Sequence, residues 1–322
     1  MSVNEEASQK IWLITGTSSG FGLRFVLSAL RRGDKVIASS RTLESLQAVK
    51  WLDLLNDLGR KECDFEDTTG IGPKVDLDSN LRLMQLDVSW STEAIHAKVN
   101  EALAIWGRID ILVNNAGIGL KALIEDASSK DFQYQFQINF FGAIDITNAV
   151  LSSMRARKSG TIVINGSRSS WKSEIPVTSL YASSKAALRV YSETLACEVD
   201  PFSIRVLILE PGAFRTEGIL SQPYLNVHNP ISDYDTVREK IMTIMKAADR
   251  KQEGDPNKAA ELVVDIVRGE GKALREDGTV RDWPLYLPLG GDAVNDIRTK
   301  CRRMLDALDE WADVTTGLEI TQ

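Results

Sequence analysis

The chain has 322 residues, 43% of them hydrophobic and 26% charged, with a formal net charge of -7 and a pI near 5.1. That length can bury the core of one large α/β domain or two modest ones, and the acidic balance gives no basic footprint for nucleic acid. No apolar stretch reaches membrane-spanning length, and the polar start "MSVNEEASQK" lacks the basic-then-apolar order of a signal peptide, so a soluble, cytoplasmic protein is expected.

Apolar runs of strand length recur along the chain: "IWLIT" (11–15), "KVIAS" (35–39), "LRLMQL" (81–86), "IDILV" (109–113), "TIVIN" (161–165), "IRVLIL" (204–209) and "LYLPL" (285–289). Near-continuous runs belong to strands buried on both faces, and helical segments between them call for parallel crossovers. The expected fold is therefore α/β, a doubly wound parallel sheet of the Rossmann type in a single domain spanning 1–322. Behind the first run, "TGTSSGFG" (15–22) leads into the helical "FGLRFVLSALRRGD". Its glycines allow a tight turn and close backbone approach at a positive helix end, which is the requirement for holding a pyrophosphate.

Further along, "GRKECDFEDTTGIGPKVDLDSN" (59–80) has no sustained period and reads as a solvated surface insertion. The stretch 128–160 opens on serine and closes with basic residues and Gly160, the signals of one long helix whose middle Gly142 weakens. "SLYASSKAALRVYSETLACEV" (179–199) reads as a helix, and it puts Tyr181 and Lys185 on one face. An ammonium beside a phenol favours the phenolate, so Lys185 is expected to lower the pKa of Tyr181. The rhythm breaks over 213–255, a variable segment where Phe214, Ile219, Leu220, Tyr224 and Leu225 are candidates to line a substrate pocket or to pack as a lid. The last segment, 292–312, places Val294, Ile297, Cys301, Met304, Leu305, Leu308 and Trp311 at helical spacing, an amphipathic helix packing on the body or on a partner, with packing on the body the plainer expectation. Cys63, Cys197 and Cys301 read as reduced thiols, and His96 and His228 lie too far apart to suggest a metal site.

Together, "TGTSSGFG", "NNAG" (114–117), "YASSK" (181–185) and "PG" (211–212) followed by Thr216 resemble, in order and spacing, the short-chain dehydrogenase/reductase superfamily over roughly residues 8–216. "EPGAFRTEG" and the long tail are similar to its hydroxysteroid- and retinol-dehydrogenase-like branch, which includes many fungal oxidoreductases. The resemblance implies a catalytic set of Asn139, a serine, Tyr181 and Lys185. Aligned from the strand the serine is Ser167, with one extra residue before Tyr181, and Ser169 is the alternative. It also implies a cofactor site of Gly16, Thr17, Ser19, Gly20, Phe21 and Gly22, then Arg41, Asp87, Asn114, Ala116 and Gly117, with Tyr181, Lys185, Pro211, Gly212 and Thr216.

Ser40 stands where an acid would bond a ribose 2′-hydroxyl, and Arg41 follows, so NADP(H) is the expected cofactor. The expected activity is hydride transfer between NADP(H) and a ketone or secondary alcohol, a lipophilic or aromatic small molecule. Double-bond reduction, dehydration or epimerisation on the same fold, and a non-catalytic NADP-binding regulator, are the rival readings. Family members pair through the helices carrying Asn139 and Tyr181, so a homo-oligomer, dimer or tetramer, is expected, with Phe140, Phe141 and Val190 as candidate contacts.

Overall fold

Each apolar run becomes a strand: β1 (Ile11–Thr15), β2 (Lys35–Ser40), β3 (Leu81–Gln85), β4 (Ile111–Asn114), β5 (Gly160–Asn165), β6 (Ile204–Pro211) and β7 (Tyr286–Leu289). The coordinates are a computed structural model, which describes residues 9–61, 76–217, 222–226, 230–318 and 320. The strands form one parallel sheet in the order β3-β2-β1-β4-β5-β6-β7. Chain order reverses between β1 and β4, so the crevice at their carboxyl ends is where a doubly wound sheet receives a ligand.

The helices are α1 (Gly20–Arg31), α2 (Leu43–Gln47), α3 (Trp51–Lys61), α4 (Leu77–Asn80), α5 (Thr92–Trp106), α6 (Ser129–Phe136), α7 (Gly142–Arg157), α8 (Ser179–Val199), α9 (Asp235–Ala248), α10 (Pro256–Arg268) and α11 (Gly291–Thr315). Along β1, Trp12 and Ile14 enter one apolar layer with Phe25 of α1 and Val263 of α10, while Leu13 enters the opposite layer with Val99 of α5, Ile146 of α7 and Leu188 of α8. Alternate side chains are thus buried on both faces, which is why the strands read as unbroken apolar runs. No described helix is long and apolar enough to cross a membrane.

Four local expectations need correction. The long helix over 128–160 does start on Ser128, which forms a capping box with Asp131, but a π-helical turn at Gln137–Phe141 separates α6 from α7. Gly142 is there for space: a Cβ on it would stand 2.3 Å from the Val88 carbonyl oxygen. Lys158, in the left-handed conformation, ends α7, whereas Gly160 begins β5 against Met154. Within 59–80, α3 extends to Lys61 and α4 forms after Asp76 caps it, so the irregular reading was too wide; residues 62–75, with Cys63, lie outside the described residues. Finally, α11 does not pack its apolar stripe on the body: Ala293 is its one buried residue among those described, and Met304, Leu305, Leu308 and Trp311 are exposed.

One buried acid ties the start of β1 to the helices. Asp34 is fully buried and accepts hydrogen bonds from the Lys10 amide (2.9 Å) and the Trp12 indole (2.8 Å), and it pairs with Arg268 at the end of α10. Removing one member of such a buried pair leaves the other charge without its partner. Asp34→Ala should lower stability by about 3–5 kcal/mol in urea unfolding, with Asp34→Asn losing less. An unchanged midpoint for Asp34→Ala would show that the pair is not structural.

Candidate active site

The three glycines of the first loop meet three different physical demands. Gly16 has φ +68, and a Cβ on it would stand 2.8 Å from the Ala116 Cα, so β1 and β4 approach there backbone to backbone. A Cβ on Gly22 would stand 2.3 Å from the Gly16 carbonyl oxygen, which seats α1 against the strand end. Gly20 has φ +60 with open space beside it, and it is the first residue of α1. Ser19 precedes α1 without a side-chain cap, and α1 has no acid of its own in its first turn. Instead Glu217 reaches in from the segment after Gly212: its carboxylate accepts the Gly20 amide hydrogen bond (2.8 Å) and pairs with Arg24 (2.5 Å). A carboxylate at a positive helix end is electrostatically natural, and nothing in the sequence spacing announced it.

Around this loop lies a cleft of about 340 Å³. Gly16, Ser19, Gly20, Phe21, Ser40, Arg41, Asp87, Ala116, Gly117 and Thr216 line it, together with Ser18, Asn115 and Asn165, which the sequence does not single out. Other named residues sit behind the wall. Thr17 is buried with its hydroxyl on the Ser39 carbonyl (3.1 Å), and the Asn114 side chain turns away to bond Thr147 of α7 (2.8 Å). The second asparagine of "NNAG" does the joining: the Asn115 side chain donates to the carbonyls of Thr15 (2.8 Å) and Gly16 (3.0 Å) and accepts from Asn165 (2.8 Å). Pro211 ends β6, and Gly212 is crowded by Asp292 of α11, so neither lines the cleft.

At the end of β5, Ser167 stands beside Tyr181, close enough for its hydroxyl to favour the phenolate. Ser167 is buried and accepts the Ser169 amide (3.1 Å), opening the tight turn Arg168–Ser170. Lys185 is buried, with its Nζ donating to the Asn165 carbonyl (2.5 Å) and lying 5.9 Å from the centre of the Tyr181 ring. Asn139, buried in the π-helical turn, holds Ile118 through both its amide atoms (2.9 Å each) and donates to Ser184 (3.1 Å). A Cβ on Gly117 would stand 3.2 Å from Asn139 Oδ1 and 3.7 Å from Lys185 Nζ, so these three residues converge.

Glu210, at the end of β6, was not anticipated. It is fully buried and accepts from the Ser167 amide (2.9 Å), the Ser170 hydroxyl (3.3 Å) and the Trp171 indole (3.1 Å), pinning the turn that carries Ser167. The only sequence signal was a lone acid closing a strand otherwise buried and apolar in its second half. Burial pushes its carboxyl up to about 7 against those three donors. Burial also pushes Lys185 down to about 8, with the Glu210 charge opposing. The Tyr181 phenol is pushed up, mainly by burial, with the Ser167 side chain pulling down and Glu210 adding to the rise. The expected lowering by Lys185 is therefore not found, because the lysine ammonium is engaged by Asn165 and burial of the phenol dominates.

The variable segment is mostly scaffolding where it is described. Phe214 packs edge-on to Phe21 (5.1 Å), the Tyr224 hydroxyl binds Asp126 and the Leu123 amide (2.7 Å), and Leu225 bonds the Lys121 carbonyl (2.9 Å). Ile219, Leu220 and His228 lie outside the described residues.

The short chain dehydrogenase family profile matches residues 73–222. Oxidoreductase BOA17 of Botryotinia fuckeliana is 31% identical over 307 residues, covering 95% of this chain and 98% of that protein. Retinol dehydrogenase 8 of Homo sapiens is 30% identical over 287 residues, covering 87% of this chain and 84% of that one. Among solved structures, a short-chain dehydrogenase from Streptomyces avermitilis matches with a TM-score of 0.73 and 31% identity over 98% of this chain and all of its own. Identity of this degree over nearly the full length of both partners, on the same doubly wound parallel sheet, makes this chain a member of the short-chain dehydrogenase/reductase family.

Proposed function

We propose that this protein is an NADP(H)-dependent oxidoreductase that interconverts a ketone and a secondary alcohol on a lipophilic or aromatic small molecule. The observation that carries this reading is the grouping of Ser167, Tyr181 and buried Lys185, whose Nζ lies 5.9 Å from the Tyr181 ring and bonds Asn165 in the wall of the glycine-lined cleft. The residues present fit a nicotinamide dinucleotide: the cleft wall at Gly16 and Gly20 leaves backbone within reach of a phosphate, and a Cβ at Gly16 would collide with Ala116. When bound, the cofactor supplies or accepts the hydride.

Tyr181 transfers a proton between its phenolic oxygen and the substrate oxygen. Ser167 donates a hydrogen bond to that oxygen as charge develops on it, from a position its buried backbone amide and Glu210 keep fixed. Lys185 holds positive charge behind the phenol, and Asn139 maintains the backbone at Ile118 and the Ser184 hydroxyl around the proton path. For the cofactor, Gly20, Ser19 and Phe21 would hold the pyrophosphate once Glu217 yields the Gly20 amide, Asp87 the adenine side, and Thr216 the far end. Exposed Phe141 and Val190, on the long helices carrying Asn139 and Tyr181, support an oligomer formed through those faces.

Arg41 is exposed at the rim of the cleft, beside Ser40 in place of a carboxylate, which favours a 2′-phosphate. The parent protein is expected to bind NADPH more tightly than NADH, and Arg41→Ala to narrow the gap by about 1.5–3 kcal/mol, measured by fluorescence titration. Equal affinities in the parent would overturn the NADP assignment.

Turnover should be followed with a panel of ketones, enones and alcohols and either cofactor. Tyr181→Phe keeps the ring and removes the proton, so carbonyl reduction should fall about 100-fold or more while NADPH still binds; Lys185→Ala should weaken both. A Tyr181→Phe protein with parental turnover, or reduction confined to enones, would refute the mechanism.

Glu210 links stability to pH. Its carboxyl is raised in the fold to about 7 from about 4.5 in the unfolded chain, so the folded state keeps a proton that the unfolded chain releases between those values. Stability from this group is therefore full at low pH and is lost as pH rises through about 7. Across pH 5 to 8 the parent should lose up to about 3 kcal/mol that Glu210→Gln does not lose. Parallel stability profiles for the two proteins would show that Glu210 titrates normally.

A further inference from the structure

We propose that α11 is a self-association surface, pairing antiparallel with α11 of a second copy of this chain. Among the described residues the helix is anchored through its first half. Asp292 accepts the Ala213 amide (2.7 Å) and pairs with Arg168 (3.0 Å), and Asp296 pairs with Arg168 (2.7 Å) and Lys172 (2.6 Å). Beyond that, Arg303 and Lys300 reach back to Glu174, and every residue from Cys301 to Leu318 is exposed. A helical segment this short is marginal in water without something to pack on.

Its apolar residues are not scattered. At about 100° per residue, Cys301, Met304, Leu305, Leu308 and Trp311 fall on one stripe, and the last four of these are 54% to 62% exposed. A continuous stripe of this kind marks an interaction surface. The acids and bases around it identify the partner. "RTKCRR" (298–303) carries four bases and no acid, while "DALDEWAD" (306–313) carries four acids and no base. A second copy running antiparallel sets basic half against acidic half, whereas a parallel one sets like against like. An anionic membrane surface would repel the acidic half.

One register satisfies both patterns. With the two-fold axis at the level of Leu305 and Asp306, Met304 faces Leu308 of the second copy, and Cys301 faces its Trp311. On the flank of the stripe turned away from Glu174, the same register sets Arg302 against Asp309 and Arg298 against Asp313. The apolar stripe supplies the affinity, and the exposed charge pairs choose the orientation. The contact is isologous, the same patch on both copies, so it closes on itself. It lies on a different element from the helices carrying Asn139 and Tyr181, so it is separable from any pairing through those.

The test is sedimentation of the full-length chain at micromolar protein. Leu308→Asp should halve the mass of the parent assembly, with circular dichroism and NADPH binding retained. Arg302→Asp and Asp309→Arg should each raise the dissociation constant by about tenfold or more, since each replaces two attractive pairs with two repulsive ones. The double variant restores opposite charges across the axis and should return it close to the parental value. An unchanged mass for Leu308→Asp, a double variant as weak as the singles, or a monomeric parent that instead pelts with phosphatidylcholine vesicles would each overturn the proposal.

Discussion

The site depends on the hydrogen bonds of Asn115. Its side chain holds the carbonyls of Thr15 and Gly16 on β1 and takes the amide of Asn165 on β5, whose own carbonyl receives the Lys185 ammonium. One side chain thus links the glycine loop, two strands and the α8 lysine into a continuous network. The Thr15 hydroxyl supports it from below, accepting the amides of Asn115 and Ala116 (3.0 Å each). The network is partly buried, so leaving one of its donors or acceptors unpaired costs free energy, and that cost holds the geometry.

Electrostatics in the site come from burial more than from the familiar pairing of tyrosine with lysine. Glu210, Lys185 and Tyr181 are each pushed towards the neutral form, chiefly because the low-dielectric interior penalises charge. The Glu210 charge opposes the fall of Lys185, Arg189 opposes the rise of Glu210, and the Ser167 side chain acts on Tyr181 in the direction of the phenolate. Glu210 has a mechanical part as well, since the three donors it accepts all belong to the turn that presents Ser167. Charge placement and loop placement are therefore coupled in one residue.

The charged groups divide in the same manner between those the fold uses and those it leaves open. Glu217 and Arg24 clasp the start of α1, Tyr224 and Arg238 gather on Asp126, and Asp34 with Arg268 secures the start of β1. Among the described residues the far half of α11 has no such commitment: it stays exposed, and its composition is self-complementary.

The amino-acid sequence by itself determined the order of elements, the parallel sheet and the loop at its crevice, because strands buried on both faces must be continuously apolar and a close backbone approach must be glycine. It also placed Tyr181 and Lys185 on one helix face, a matter of local periodicity. What it did not reveal were relations between distant segments: that Asn115 and not Asn114 faces the cleft, that Glu210 sits beneath Ser167, that Glu217 reaches Gly20, that Gly142 is small to clear Val88. Between Ser167 and Ser169 the sequence leaves two candidates, and of the two it is the Ser167 hydroxyl that acts on the Tyr181 phenol. The exposure of α11 and the upward push on Tyr181 likewise follow from which surfaces end up in contact. Periodicity and turn chemistry are encoded within a few residues, whereas burial and pairing across tens to hundreds of residues exist only once the chain has folded.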